Sequence, residues 1–337
     1  MNITVVNTLP DEAWRRFVAE HPDGNVFHTP EMFQVFARAR GHQVSLWAAQ
    51  DDQGQILALM VPVKVTVLGG PLARLASRSV VYGGILCVSS SAAQAALGQL
   101  LNAYNRSAVG HTLFTEVRHL ADASDFQATM QDNHYVYEPH ENFLIDLDLP
   151  LEALESNIHK SARKSLRRAL NSDLLAIETI HDRTLLPTWH ALLQHTYQNA
   201  QVPLADLSLF EAALDILHPA GMIQFLMGRV EDTYVAASVA LLYKGTIYGW
   251  YRGFDRAYSS YLPNDLMVWQ VLQWGATNGY HTFDFGGAGK PGGDYGPRKF
   301  KAKFGGRLVS FGRNTCVHSP RLLKLSEWGY RLSRRFL

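Results

Sequence analysis

A glycine-rich, basic stretch late in the chain carries the side chains best suited to chemistry. Residues 283–306 read FDFGGAGKPGGDYGPRKFKAKFGG, in which Asp284 precedes a loop containing six glycines. Five cations follow in the same stretch: Lys290, Arg298, Lys299, Lys301 and Lys303. Exposed backbone N–H groups beside cations are suited to binding a phosphate or another anion. A solvated basic hairpin tip is the alternative, and the glycine spacing is not that of a P-loop.

The segments before this loop add further polar and aromatic side chains. They are Trp250, Tyr251 and Arg252 at the end of a predicted strand, and Asn264 as the cap of the next helix. If the strands are neighbours, their ends meet at one cleft. Acyl transfer to an amine needs two substrates held close, donors for the oxyanion and a proton acceptor. Asp284 is a candidate to orient or deprotonate the amine, and Lys301 or Lys303 to face the negative charge. Alternatively, Asp284 is a structural partner of Arg298 or Arg252.

The elements that must position these residues begin with a predicted helix over 151–170. Its cations recur at i, i+3, i+4, i+7 and i+8, namely Lys160, Arg163, Lys164, Arg167 and Arg168. Apolar residues at helical spacing occupy the other side. Such a stripe repels itself by a few tenths of a kcal/mol per pair, unless an anion neutralises it or water screens it. We expect this helix and the late lysines to face one trough.

The remaining elements are predicted from hydrophobic periodicity and turn residues. In the first half they are strands at 3–6, 44–49, 56–65, 80–88 and 112–117 and helices at 11–20, 31–39 and 92–104. In the second half they are a strand at 141–150, helices at 185–199 and 208–217, an antiparallel meander over 222–229, 234–243 and 246–254, a helix at 265–278 closed by Gly279, and a strand at 282–285. A basic amphipathic helix over 320–337 is expected to pack on the domain body or to rest on an anionic membrane.

Composition indicates a globular protein of two domains. The chain has 337 residues, a hydrophobic share of 47%, a charged share of 18% and a net charge of +1. Bulk electrostatics therefore exclude a general nucleic-acid binder, and an anionic partner must be bound by local patches. Two cysteines, Cys87 and Cys316, exclude a disulfide framework and fit a reducing compartment. We find no signal-peptide pattern and no apolar run longer than 56–63, so we expect a soluble, cytoplasmic protein.

Several common enzyme classes lack their motifs in this sequence. The chain contains 14 histidines but no H-E-x-x-H, and His190 and His195 are not at a ligand spacing. It has no G-x-S-x-G elbow and no G-x-G-x-x-G opening a helix after a strand. We therefore expect no metal site, no serine hydrolase and no dinucleotide-binding domain.

Three segments of the second half resemble a known family. They are KSARKSLRRA at 160–169, YGWYRGFDRAYSSYLPNDLMVW at 248–269, and 279–306, which begins GYHTFDFGG and ends RKFKAKFGG. In order and spacing they resemble the FemABX peptidyltransferases and their relatives with a GNAT-like acetyltransferase domain. The first half is similar in outline, as in NVFHTPEMFQVF at 25–36.

The resemblance implies an α/β fold with mixed sheets and two tandem GNAT-like domains, at 1–149 and 150–320, followed by the helix at 321–337. Fem-type enzymes move an amino acid from aminoacyl-tRNA onto the peptide of a peptidoglycan precursor, whose phosphates are held by cations. Carried over by position, Arg163 and Arg167 are phosphate-side candidates and Lys301 is the late lysine of a Phe-Lys motif. The usual acetyl-CoA signature before the central helix is replaced by RGFDRA at 252–257.

We therefore expect a cytoplasmic acyltransferase with catalytic Lys301 and Asp284. The substrate-binding candidates are Arg163, Arg167, Tyr251, Arg252, Asn264, Lys290, Arg298 and Lys303. No tightly bound cofactor is expected; the donor is aminoacyl-tRNA or, alternatively, acyl-CoA, as a co-substrate. The acceptor is an anionic cell-envelope precursor, nucleotide-sugar or lipid-linked, with tRNA and the inner face of the membrane as further partners. The alternatives are an acyl-CoA-dependent enzyme acting on an amino sugar or polysaccharide precursor and a non-catalytic binder of anionic glycan or nucleotide-sugar.

Overall fold

The computed structural model describes residues 2–66, 77–293 and 295–333. The chain divides into two compact units, one formed by Met1–Pro139 with Phe311–Leu337 and the other by His140–Ser310. These units differ from the predicted ranges at both boundaries. Residues 141–146 pair with strands of the second unit, and residues 313–317 pair with strands of the first. Backbone pairing over long sequence separations therefore decides to which unit each segment belongs.

The first unit consists of short strands and helices, numbered here in chain order. Its strands are β1 (Thr4–Val6), β2 (His42–Val44), β3 (Trp47–Gln50), β4 (Ile56–Met60), β5 (Pro62–Thr66), β6 (Ser77–Val81), β7 (Leu86–Cys87), β8 (Phe114–Arg118), β9 (Val136–Glu138) and β17 (Arg313–Val317). Its α-helices are α1 (Asp11–Glu20), α2 (Pro30–Arg38), α3 (Ser91–Ala108), α4 (Gln127–Asp132) and α11 (Pro320–Ser333). Two sheets result, in the orders β1-β3-β4-β7 and β2-β5-β6-β8-β17-β9.

The core of the first unit forms where α3 packs on β3 and β4. The apolar residues of α3 recur at helical spacing, and Leu97, Leu100 and Leu101 are completely buried. The Ser90 hydroxyl accepts a hydrogen bond from the Ala93 N–H and so caps this helix. Asp51 to Gly54 form the predicted turn between β3 and β4, which pair antiparallel.

The second unit is built on one continuous sheet. Its strands are β10 (Glu141–Asp146), β11 (Leu175–Ile180), β12 (Ile223–Val230), β13 (Thr233–Tyr243), β14 (Thr246–Phe254), β15 (Thr282–Gly289) and β16 (Arg307–Ser310). The order is β11-β12-β13-β14-β15-β10-β16, with β14 and β15 parallel and the other neighbours antiparallel. The predicted meander is therefore correct, but its faces do not alternate between core and solvent, because β13 is buried without interruption over residues 235–242.

The helices of the second unit are α5 (Leu151–Asn157), α6 (Lys160–Ser172), α7 (Leu186–Asn199), α8 (Leu207–Leu217), α9 (Pro263–Thr277) and α10 (Gly296–Ala302). α9 follows β14 and leads into β15, so it is the crossover of the parallel pair. Its largely apolar sequence is buried along much of its length, with Leu266, Val271 and Leu272 in the core. Gly279 just beyond it has φ +76°, the left-handed conformation predicted for this helix end.

Several elements differ from the predictions. The helix predicted over 151–170 is broken at Ile158 and His159, because the His159 N–H donates to the carbonyl of Lys303 instead of continuing the helix. The glycine loop is shorter than predicted, since β15 continues through Gly289. The sequence patterns also missed α4, β9, β11, α10, β16 and β17.

The C-terminal helix α11 begins at Pro320 as predicted. Its first turns expose Leu322 at 40% and Leu325 at 50%, next to Arg321 and Lys324. Residues 334–337, which belong to the predicted helix, lie outside the described part. The membrane contact of this helix stays a prediction. Within the described ranges, no helix is long and apolar enough to cross a bilayer.

Candidate active site

The parallel strands β14 and β15 diverge and leave a pocket in the second unit. They pair from Thr246–Thr282 to Tyr248–Asp284, and both strands then continue without pairing to each other. β14 bulges against β13 where they separate, between the Val239–Tyr251 and Ala240–Gly249 pairs. The pocket has a volume of about 730 Å³, within the usual range for small-molecule sites. Residues from β13, β14, β15, α7, α9 and α10 line it.

Lys301 reaches this pocket from α10 but is tied to the backbone of β15. It is 6% exposed, and its Nζ donates to the carbonyls of Phe285, Gly286 and Gly287 at 2.7, 2.9 and 2.7 Å. A protonated lysine has three N–H donors, so all of them are used. Burial, with a further contribution from the Arg252 charge, lowers the pKa of Lys301 to about 7. The ammonium group therefore holds the glycine segment in place through these three hydrogen bonds.

Asp284 binds the backbone of the same glycine segment, at a different atom from Lys301. It is 3% exposed; its Oδ1 accepts from the Gly286 N–H at 2.6 Å, and its carboxylate also accepts from Asn142 Nδ2 at 3.3 and 3.4 Å. Burial raises the pKa of Asp284 to about 6, against the lowering effects of Gly286, Lys301 and Asn142. Asp284 does not line the pocket. Its partners are thus the Asn142 amide and a backbone N–H, in place of the predicted Arg298 or Arg252.

Gly286 is the residue that both charged groups hold. Its N–H is bound by Asp284, its carbonyl by Lys301, and its φ is +69°. The pairing of β15 with β10 is irregular at this point. Asn142 pairs with Gly287 and Leu144 pairs with Asp284, so β15 has one residue more than β10 between the two pairs. The extra residue on β15 is a β-bulge, a feature that redirects a strand. A glycine is needed at this position because a side chain rarely adopts this φ.

Arg252 lies on β14 inside the pocket, as the sequence predicted. Its guanidinium carbon is 5.2 Å from the ring centre of Phe285 and 4.8 Å from that of Phe300. These distances are those of cation–π contacts. Burial lowers the pKa of Arg252 to about 10, so the group stays charged at neutral pH. Tyr251 and Asn264 also line the pocket, but Asn264 is not the helix cap, because that position is Leu262.

Two of the predicted cations are occupied in structural ion pairs. Arg298 lies 2.5 Å from Glu141 Oε2, and it also donates to the carbonyls of Ala288, Lys290 and Gly293. It therefore braces the glycine segment from outside the pocket lining. Lys303 Nζ is 2.5 Å from Asp265 Oδ1 and 4.2 Å from the centre of the Phe300 ring. Lys290 is exposed at the loop.

The helix α6 cations lie apart from this pocket. Arg167 forms a bidentate ion pair with Glu155, with Nη2 and Oε2 at 2.9 Å, and is exposed. Arg163 Nη1 donates to the Ser156 carbonyl at 2.7 Å. Among the described residues that line the pocket there is no cation of α6. The predicted shared trough is therefore wrong for this pocket, because α6 turns these arginines back toward α5.

Sequence reasoning missed several residues that shape the pocket. Tyr197 of α7 contacts Tyr251, with ring centres 5.7 Å apart, and burial raises its pKa to about 12. Its hydroxyl is therefore protonated at neutral pH. Ser238 on β13 also lines the pocket, and its Oγ is buried without a hydrogen-bond partner among the described residues. No local motif marks either residue, since they reach the pocket through sheet pairing and helix packing.

This arrangement has the features that acyl transfer requires. The pocket provides an apolar aromatic wall, a fixed cation at Arg252 and a lysine whose pKa of about 7 suits proton transfer near neutral pH. Lys301 can accept a proton only when it is neutral, and the neutral amine keeps two of its three carbonyl hydrogen bonds. Within the described ranges, no three His, Cys, Asp or Glu side chains are grouped to hold a metal ion.

Comparisons with solved structures identify the fold. FemX matches over 96% of this chain and 99% of its own, with a TM-score of 0.71 and 15% identity. L-PGS from Bacillus licheniformis matches over 96% of both chains, with a TM-score of 0.57 and 14% identity. A tandem GNAT protein from the clavulanic acid biosynthesis pathway matches over 95% of this chain and 99% of its own, with a TM-score of 0.58 and 9% identity. The predicted mixed α/β fold of tandem GNAT-like domains is confirmed.

The two sequence comparisons gave different results. No curated protein matches the chain. The family model described as an acetyltransferase (GNAT) domain matches residues 156–301, which include β14, α9, β15 and Lys301. Residues 156–301 of this chain therefore match the model of an acetyltransferase (GNAT) domain. Together with the fold shared with FemX, this match supports the resemblance to FemABX-like acyltransferases of the GNAT superfamily.

Proposed function

We propose that this protein transfers an aminoacyl group to an amine or hydroxyl group of a cell-envelope precursor. The observation that carries the proposal is the separation of β14 and β15 beyond the Tyr248–Asp284 pair, which opens the pocket beside Lys301 and Arg252. An extended substrate containing amide groups can pair with strand edges that are free in this way. The pocket then holds the acyl carbon close to the acceptor.

In this proposal Lys301 receives the proton of the attacking amine. The amine nitrogen bonds to the acyl carbon, the bond to the donor oxygen breaks, and the proton lost by the nitrogen passes to Nζ in its neutral form and on to the leaving oxygen. The low pKa of Lys301, about 7, supports this role. Asp284 acts as a positioning residue, because its hydrogen bonds run to Gly286 and Asn142 and it does not line the pocket.

The donor that we favour is aminoacyl-tRNA. A pocket of about 730 Å³ is of the size at which a small group such as an aminoacyl group binds. The likeness to FemX over nearly the whole chain supports this donor, and so does the RGFDRA sequence at 252–257 in place of the usual acetyl-CoA signature. The reaction takes place in the cytoplasm, with a nucleotide-sugar or lipid-linked precursor as acceptor.

An acyl-CoA donor is the second candidate. The matched family model is described as an acetyltransferase domain, and the tandem GNAT structure is described as being without AcCoA. An acyl-CoA-dependent enzyme would use the same pocket to acylate an amino sugar or polysaccharide precursor, with a thiol as the leaving group.

The test compares donors on the purified full-length chain. UDP-muramyl pentapeptide is incubated with a mixture of charged tRNAs, with acetyl-CoA or with longer acyl-CoA esters, and products are detected by mass spectrometry. We expect an added amino acid with charged tRNA and no product with any CoA ester. Product from a CoA ester alone would support the second candidate. Binding of the acceptor without turnover from any donor would instead indicate a non-catalytic binder of anionic glycan or nucleotide-sugar.

A further inference from the structure

Two polar side chains on adjacent strands of the pocket wall point to an unassigned subsite. Ser238 on β13 and Arg252 on β14 are direct partners in the antiparallel ladder, and both line the pocket. Directly opposite residues project to the same face of a sheet, with Cβ atoms about 5 Å apart. One small group in the pocket can therefore contact both side chains.

Ser238 lacks the hydrogen bond that a buried hydroxyl normally makes. The residue is 9% exposed, and its Oγ has no partner among the described residues. Its carbonyl, in contrast, accepts from Trp189 Nε1 at 3.2 Å. Native proteins leave few buried polar groups unpaired, and each such group calls for an explanation. A hydroxyl that lines a pocket is explained when a ligand supplies the acceptor.

Arg252 is held in position without an acceptor for its donors. The rings of Phe285 and Phe300 fix the guanidinium group, and no described residue forms a side-chain hydrogen bond or ion pair with it. A guanidinium group has five N–H donors in a planar fork that matches a carboxylate or a phosphate. Arg252 is half-buried, and even partial removal of its charge from water is costly unless an anion compensates. The aromatic contacts alone provide little of that compensation.

The other described charges at the pocket supply only part of this compensation. Asp265 is the one acidic residue in the described lining, and its charge favours the protonated form of Arg252. Its carboxylate, however, is paired with Lys303 and forms no ion pair with Arg252. The three donors of Lys301 are used by the β15 carbonyls, and Arg256 adds another positive charge at the exposed 3-10 turn after β14. The described lining of the pocket therefore has an excess of positive charge, which a negatively charged ligand would balance.

We propose that Arg252 and Ser238 form a subsite for a single anionic group, a carboxylate or a phosphate, joined to an apolar or planar body that packs on Phe285 and Phe300. The guanidinium fork binds two oxygens of the anion, and the Ser238 hydroxyl donates to one of them. This inference rests on the proposed function in one respect, that the anion belongs to a substrate of the transfer. It narrows the substrate class to molecules that carry such a group within reach of the acyl centre.

The test measures binding without turnover. Phenylacetate and phenyl phosphate at millimolar concentration are the anionic probes, and neutral phenylacetamide is the matched control for shape. Trp250 lines the pocket, so its fluorescence reports occupancy, and the melting temperature gives a second readout. We expect both readouts to respond to one or both anions and not to the amide. The preferred anion distinguishes a carboxylate from a phosphate as the natural group. Equal binding of the amide, or no response to either anion, would overturn the proposal.

Variants then assign the binding to the two residues. Arg252→Gln should weaken binding of the preferred anion by about 10- to 100-fold, the effect of losing charge-assisted hydrogen bonds. Ser238→Ala should weaken it by about 5-fold, the effect of a single hydrogen bond. Arg106→Gln, which removes an exposed arginine on α3 of the first unit, should leave the affinity unchanged. Arg252→Met preserves the packing on the two rings and replaces Arg252→Gln if that variant misfolds.

The outcomes separate this inference from the proposed function. A folded Arg252 variant that binds the anion as tightly as the wild type would refute the subsite, whatever the result of the transfer assay. Anion binding that depends on Arg252 and Ser238 in a protein that transfers nothing would refute the proposed function and leave the subsite in place.

Discussion

Each unit contains a pair of parallel strands, but the surroundings of the pair differ between the two units. In the first unit, β6 and β8 pair from Ser79–Thr115 to Val81–Val117, with β7 and α3 in the connection. In the second, β14 and β15 pair over three residues, with α9 in the connection. Backbone topology alone therefore does not reveal which unit could bind a substrate.

Side chains of the first unit fill the space around its parallel pair. The Tyr104 hydroxyl of α3 lies 2.9 Å from both Ser79 Oγ and Thr115 Oγ1. Beyond β6, the carbonyls of Gly83 and Gly84 are bound by Asn25 and His28 at 3.0 and 3.1 Å. These polar groups thus satisfy one another in a closed core.

The second unit leaves the corresponding space open. There the strands part around a pocket, and Arg252 and Ser238 have no hydrogen-bonding acceptor among the described residues. The pairing of polar groups, more than topology, therefore distinguishes a structural GNAT-like unit from one suited to a substrate. Four predictions test this distinction, beginning with the largest expected effect.

Lys301→Ala should damage both the structure and the activity of the second unit. It removes the ammonium group from three carbonyls, so we expect a loss of about 3 kcal/mol in the free energy of unfolding. We also expect transfer to fall at least about 100-fold. Denaturant unfolding and the transfer assay measure these effects. Lys299→Ala on the exposed side of α10 is the control for stability and should change it by less than about 0.5 kcal/mol. Unchanged transfer by Lys301→Ala would remove the residue from the active site.

His28→Ala should damage the first unit alone. His28 is completely buried, accepts from the Asn25 N–H through Nδ1 and donates through Nε2 to the Gly84 carbonyl. Losing both contacts and leaving a cavity should cost about 2 to 3 kcal/mol. Transfer per folded molecule should not change, because the pocket belongs to the second unit. A folded His28 variant with a lowered turnover number would contradict the distinction between the units.

Asp284→Asn should change how stability depends on pH. Burial raises the folded pKa of Asp284 from 3.8 to about 6, so the native state binds this proton more tightly than the unfolded state does. The contribution of Asp284 to the free energy of unfolding is therefore largest below pH 4. It falls by about 2 to 3 kcal/mol as the pH rises to 6. In the first unit, burial lowers the pKa of His28 to about 4, which has the opposite slope over this range.

The quantity to measure is therefore the free energy of unfolding in urea, determined for the wild type and for Asp284→Asn at several pH values and compared as a difference. The contributions of the first unit's histidines to this pH dependence cancel in the difference, because these residues are the same in both proteins. A difference that stays constant between pH 4 and 6.5 would show that Asp284 does not titrate in this window.

Arg167→Gln should have the smallest effect on stability. The Arg167–Glu155 ion pair is exposed, so we expect no measurable change in the free energy of unfolding. If Arg167 holds a phosphate of the acceptor, as the family resemblance implies, the KM for UDP-muramyl pentapeptide should rise several-fold while kcat is unchanged. An unaltered KM would exclude Arg167 from acceptor binding.

The sequence predicted local elements well where periodicity and turn residues agree. Strands β12 to β14 and helix α9 lie close to their predicted ranges, and Gly279 has the expected left-handed φ. The sequence patterns did not predict β17, because this short segment becomes a strand by pairing with β8 and β9, which are far away in the chain. They also failed at α6, where a tertiary hydrogen bond to Lys303 breaks a helix that periodicity favours throughout.

For the candidate site, residue types and order along the chain predicted Lys301, Asp284 and Arg252 and indicated the family resemblance. The structure places Lys301 and Arg252 at one pocket and Asp284 outside its lining. Only the tertiary structure decided their roles. In the folded chain, Asp284 accepts from the Gly286 N–H and Lys301 donates to the Gly286 carbonyl. The arginines of α6 are not among the described residues that line the pocket. The tertiary structure also placed Ser238 opposite Arg252. The physical reason is that a side chain's role depends on which hydrogen-bonding partners reach it, and sheet pairing and burial bring those partners from distant parts of the chain.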